Sequence, residues 1–132
     1  MHKSLPNTFI FLDKFDSQIF ENNNTNIGII YRNYHNQSKE GELVKIAKKC
    51  KKKRFKLYIA NNIKLAIKMK ANGIYIPAFN KSGRFSNHEK RGLAIIGSAH
   101  NQREIQQKIM QNCSAIFLAP IFQVKKKKDY LN

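Results

Sequence analysis

The stretch "GSAHNQREIQQKIMQNCSAIFLAPIF", residues 97–122, decides the fold class. It leaves an apolar run at 93–98, passes through a polar segment of helical period and enters a second apolar run, 114–122, that is uncharged throughout. Asn101 with Glu104 three positions on fits the capping-box pattern, with Asn in place of the usual Ser or Thr. Ile105 and Ile109 are then expected on the inner edge of that helix. An uninterrupted apolar strand is expected to be covered on both faces, as strands of a parallel sheet are.

The same alternation runs through the rest of the chain. Strands are expected at "NTFIFLD" (7–13), "NIGIIYR" (26–32), "FKLYIA" (55–60) and "GIYIPA" (73–78), with those at 93–98 and 114–122 completing six. In "SKEGELVKIAKKCKKKR" (38–54), Leu43, Ile46, Ala47 and Cys50 share one helical face and the lysines take the other. Asn61 or Asn62 caps a further helix with Ile63, Ala66 and Ile67 on its buried stripe, and "ANG" at 71–73 supplies its stop. The segment "FNKSGRFSNHEKRG" (79–92) reads as a loop with at most a brief helical piece. Six strands with intervening helices indicate an α/β protein with a parallel sheet. No GxGxxG or GxxxxGKS follows any strand, so the common nucleotide-binding loops are missing.

At 132 residues, 42% hydrophobic, with nine Phe and five Tyr, the chain has the makings of one folded domain over 1–132. Its net charge of +17 points toward a polyanion such as RNA. Lys outnumbers Arg 20 to 5, however, and Asn and Ile number 15 and 17, the usage of an AT-rich coding sequence. The run at 48–54 lies on a helix face and reads first as a solvated surface. Cys50 and Cys113, the two cysteines, stand in no CxxC or Cys/His cluster and read as reduced core thiols. The apolar run Phe9 to Leu12 is too short for a signal peptide or membrane span, so a cytoplasmic protein is expected.

The order of these pieces resembles the thiamine-phosphate synthase and TenI family, (βα)8 barrels of thiamine biosynthesis. "IIYRNY" resembles the family's Gln-x-Arg-x-Lys signature, keeping Arg32 with Ile30 and Tyr34 at the flanking positions. "IANNIKLA" follows its Asn-Asp strand end with Ala60 and Asn61, and "GIYIPAFN" resembles "GVHLGQ-x-D" with Asn80 at the second acidic position. "IIGSAHN" is similar to "G-x-S-x-H" with Ser98 and His100, and "APIFQVKKK" to "GPIFPT-x-TK" with Pro120, Ile121, Phe122 and Lys127. The likeness is nearest to the TenI-like branch.

The resemblance implies a TIM-type barrel of sequential strands, incomplete because strands seven and eight have no counterpart before residue 132. It implies a phosphorylated thiazole or pyrimidine ligand, with Arg32, Ser98 and Lys127 as substrate-binding residues. It also implies a magnesium ion held by two aspartates, where this chain has Asn61 and Asn80 and so only neutral oxygen for a hard cation. The family's Thr-x-Thr is replaced by Val124, Lys125 and Lys126. Normal synthase (transferase) activity is therefore not expected, and the branch's metal-free thiazole tautomerisation leaves His100 as a weak catalytic candidate beside its reading as a loop histidine near a helix cap. An open barrel would expose its edge strands, calling for a second copy or another partner.

Two alternatives remain. One is a basic α/β module binding RNA or another polyanion through the lysine clusters at 45–56 and 125–128. The other is an open flavodoxin-like sheet, whose strand order would reverse direction where a barrel's stays sequential.

Overall fold

The computed structural model describes residues 5–21, 26–33, 40–85 and 92–118. The chain divides into two compact units, residues 1–75 and 76–132. The strand order is sequential, β1-β2-β3-β4-β5-β6, with no reversal of the doubly wound kind.

The first unit holds β1 (Thr8–Leu12), α1 (Ser17–Phe20), β2 (Ile27–Tyr31), α2 (Glu40–Lys53), β3 (Lys56–Ala60), α3 (Ile63–Lys68) and most of β4 (Gly73–Ile76). These four strands pair in parallel. Their register sets Phe9 beside Gly28, and Phe11, Ile30, Tyr58 and Gly73 in one row. A Cβ on Gly28 would come within 2.8 Å of the Phe9 ring and 2.9 Å of Pro6, so the missing side chain is the space that the ring occupies. Phe9 then leans on Tyr58 at 5.6 Å, and Phe11 meets Tyr75 edge-on at 5.4 Å. One face of this sheet is thus aromatic, and alternation sends Ile29, Leu57, Ile59 and Ile74 to the other.

Helices α2 and α3 pack against β3. On α2 the buried residues are Leu43, Ile46 and Cys50, as the spacing predicts; Ala47 is half-buried. Acidic Glu40 and Glu42 open this helix and Lys51, Lys52 and Lys53 close it, matching the signs of its dipole. Only Ala66 of the stripe expected on α3 is buried, and Ile67 is exposed. Asn62 is the residue that caps α3, its Oδ1 accepting from the Leu65 N–H at 3.0 Å. The helix stops before "ANG": Lys70 takes the left-handed turn (φ 63 at Arg54 after α2, 55 at Lys70), and the Ala71 N–H reaches back to Ala66 O at 2.9 Å. Asn72 instead extends β4, pairing with Leu57 through both its own N–H and its side-chain oxygen.

Helix α1 has no counterpart in the sequence expectations. Four residues are too few for periodicity; Asp16 caps them, and Phe20 is buried between Phe15 (5.7 Å) and Phe55 (5.8 Å).

The second unit holds the end of β4, a 3₁₀ turn at Gly83–Phe85, β5 (Ala94–Ala99), α4 (Gln102–Met110) and β6 (Ala115–Leu118). Strands β5 and β6 pair in parallel, and α4 packs on β5. Asn101 caps α4, its Oδ1 accepting from Glu104 N–H at 2.9 Å; the return bond of the expected capping box falls one residue earlier, Glu104 Oε1 accepting from His100 N–H at 2.6 Å. The inner edge of α4 differs from expectation: Lys108 is fully buried and Gln111 nearly so, while Ile109 is 54% exposed and Ile105 half-buried. Residues 119–122 of the sixth apolar run lie outside the described residues. Among the described residues no helix is long and apolar enough to cross a membrane.

Candidate functional site

In the first unit, Arg32 follows the last residue of β2, and its backbone N–H donates to Leu12 O at 2.8 Å. Alternation returns its side chain to the aromatic face, where the guanidinium carbon sits 4.2 Å above the Phe11 ring. The ring restrains a side chain that would otherwise be mobile, so Arg32 is an exposed, oriented cation. Asn61 follows β3 in a left-handed turn (φ 63), held by its N–H donating to Tyr75 O at 3.0 Å. Asn accepts that conformation more readily than most residues.

In the second unit, Ser98 is 6% exposed and lies opposite Phe117 in the β5–β6 register. Its neighbour Gly97 faces α4: a Cβ there would lie 2.8 Å from Lys108 Cδ and 3.1 Å from Cys113 Sγ. Ser98 therefore points to the opposite face of the strand. His100 is exposed, with Nδ1 3.0 Å from Glu104 Oε1. The His100 backbone N–H, foremost, holds the Glu104 carboxyl below the usual carboxylate range. His100 is thus built into the start of α4.

Asn80 sits in the loop after β4. Its N–H donates to Pro77 O at 3.1 Å, and its side-chain oxygen accepts from the Ser82 N–H at 2.9 Å, an Asx turn. Its carbonyl accepts from Lys108 Nζ at 3.0 Å and from Gln111 Nε2 at 2.9 Å, and the same Nε2 reaches Ser82 O at 2.8 Å. Burial pushes the Lys108 ammonium below its ordinary range. Sequence reasoning missed both side chains, because a lysine and a glutamine at i, i+3 look like solvent positions.

These residues do not fit a magnesium site. Asn61 and Asn80 offer neutral amide oxygen in place of carboxylate, and the Asn80 Oδ1 accepts from the Ser82 N–H. Among the described residues no three His, Cys, Asp or Glu side chains cluster to hold a metal. Burial pushes the Cys50 thiol up to about 12 and Cys113 to about 11, so neither is a thiolate nucleophile near neutral pH. Lys127, with Pro120, Ile121, Phe122 and the lysines at 125 and 126, lies outside the described residues.

Comparison with known proteins agrees with this frame. The structure is similar to thiamine phosphate pyrophosphorylase from Pyrococcus furiosus, with a TM-score of 0.66 at 11% identity over 86% of this chain. At that identity the likeness shows the fold alone, a partial TIM-type arrangement of sequential parallel strands. The chain spans 59% of the length of that relative. No curated protein matches. The model of the family described as thiamine monophosphate synthase (TMP-TENI) matches residues 25–132. By that match over most of its length, the chain belongs to the thiamine monophosphate synthase family.

Proposed function

We propose that this chain, as one domain over 1–132, is a TenI-like member of its family that binds a phosphorylated thiazole or pyrimidine precursor of thiamine in the cytoplasm. In this reading Arg32, Ser98 and Lys127 bind the substrate, the two cations neutralising phosphate charge and Ser98 donating a hydrogen bond. The observation that carries it is the family match over residues 25–132, to which Arg32 adds an oriented cation at the end of a barrel-type strand. The Mg-dependent synthase reaction is not part of the proposal, since Asn61 and Asn80 stand where carboxylates are needed. His100 receives no catalytic role, because its ring and backbone are both engaged with Glu104. A second copy or another partner along β1 or β6, the end strands of the order, completes the reading.

The test is calorimetry with the pyrimidine pyrophosphate and with the thiazole phosphate, each with and without Mg²⁺. At least one ligand is expected to release heat and raise the melting temperature, with no requirement for the metal. The proposal fails if neither ligand does either.

A further inference from the structure

We propose that Lys108 and Gln111 form a built-in clamp that fixes the loop after β4, residues 77–85, and so makes Lys108 a positioning residue for Asn80. The clamp goes beyond the reading above and does not rest on it.

The orientation of α4 is the first support. A helix with Ile105, Ile109 and Met110 could turn apolar side chains toward β5, yet it buries Lys108 and leaves Ile109 54% and Met110 80% exposed. Burying an ammonium and exposing two large apolar groups both oppose folding, so specific bonds must select this rotation. Three such bonds exist, all to loop carbonyls: Lys108 Nζ to Asn80 O, and Gln111 Nε2 to Asn80 O and Ser82 O.

Gly97 is the second support. Any side chain there would meet Lys108 Cδ at 2.8 Å, and the Ile76 carbonyl oxygen at the same distance, so the lysine stem lies in a slot that only glycine leaves open. The third is the Gln111 amide itself. Its Oε1 is buried and accepts no hydrogen bond among the described residues, while its Nε2 donates twice. The position is satisfied by a donor, and turning the amide over would set oxygen against two carbonyl oxygens.

The loop's own bonds include Asn80 N–H to Pro77 O, Ser82 N–H to Asn80 Oδ1, and Arg84 N–H to Ser82 Oγ at 3.2 Å, and Phe85 at its end is fully buried. With the Asn80 and Ser82 carbonyls anchored on α4, the Asx turn of Asn80 is fixed in place. The side chain at the family's second acidic position is thereby held in a bond to its own loop.

Residue-resolved amide exchange on the ligand-free full chain tests this. In Lys108→Met and in Gln111→Leu, the Ser82 and Arg84 amides should exchange roughly tenfold faster or more, while the Ile105 and Cys113 amides that frame α4 keep wild-type rates. Lys108→Gln, which retains a donor, should restore part of the protection that Lys108→Met loses. Unchanged Ser82 and Arg84 rates would overturn the clamp, and so would acceleration of loop and helix by the same factor, which would make Lys108 ordinary core filling. Gln111→Leu removes two of the three bonds and carries the test if Lys108→Met does not fold. Because no ligand is present, failure of precursor binding and failure of the clamp are separate results.

Discussion

Helices α2 and α4 do the same job by different means. Each packs on a strand of a parallel sheet and each carries apolar residues at helical spacing. Helix α2 seals its strand with Leu43, Ile46 and Cys50 and sends its lysines to solvent. Helix α4 turns Lys108 and Gln111 inward and leaves Ile109 and Met110 outside. The difference lies in what each helix faces. Partly buried loop carbonyls at Asn80 and Ser82 take donors from α4, and satisfying them overrides apolar periodicity.

The largest expected effect tests the apolar half of the comparison. Leu43 is completely buried, and Leu43→Ala should lower stability by about 2–5 kcal/mol in urea unfolding. A loss under roughly 1 kcal/mol would mean that α2 does not seal the sheet.

Alkaline pH should come next. Burial raises Cys50 from 9.0 to about 12, Tyr58 from 10.0 to about 12 and Cys113 from 9.0 to about 11. Between those values the folded chain holds protons that the unfolded chain releases, so this stability is present below about pH 9 and is lost as pH rises toward about 12. Lys108, shifted down, works in the opposite sense: the folded state binds fewer protons there, and its contribution grows as pH rises toward the ordinary lysine value of 10.5. Melting temperatures across this window should therefore fall, and less steeply in Cys50→Ala. Equal slopes for wild type and variant would contradict the burial of that thiol.

The smallest effect is on the outer face of α4. Ile109→Ser should change stability by under about 0.5 kcal/mol, since the side chain is mostly in solvent. A loss of roughly 2 kcal/mol would place Ile109 inside, as periodicity alone suggests, and would erase the contrast with α2.

The fold was legible where the signals are local or repeated. The six apolar runs located the strands, 3.6-residue spacing located the inner edge of α2, and Asn101 with Glu104 located the start of α4. Sequential order, the property that separates this sheet from a doubly wound one, followed from the ordered motifs and the family likeness. Illegible features depend on contacts between distant residues. Helix α1 is held by Phe20 between Phe15 and Phe55, and the stop of α3 falls on Lys70 because its left-handed turn closes back onto Ala66. At the candidate site, Arg32 and Ser98 could be placed at strand ends from motif frames. Phe11 beneath Arg32 could not, because that contact requires the β1–β2 register. Lys108 could not either, since nothing near it in sequence announces a buried lysine.

We propose that this family member binds a phosphorylated precursor through Arg32 without a metal. Titration of the thiazole phosphate and of the pyrimidine pyrophosphate into wild type and Arg32→Ala, each in EDTA and in Mg²⁺, tests it directly. One ligand is expected to bind wild type with the same Kd in both buffers and to bind Arg32→Ala roughly tenfold or more weakly. Binding that appears only with Mg²⁺, or that is indifferent to Arg32→Ala, would contradict it.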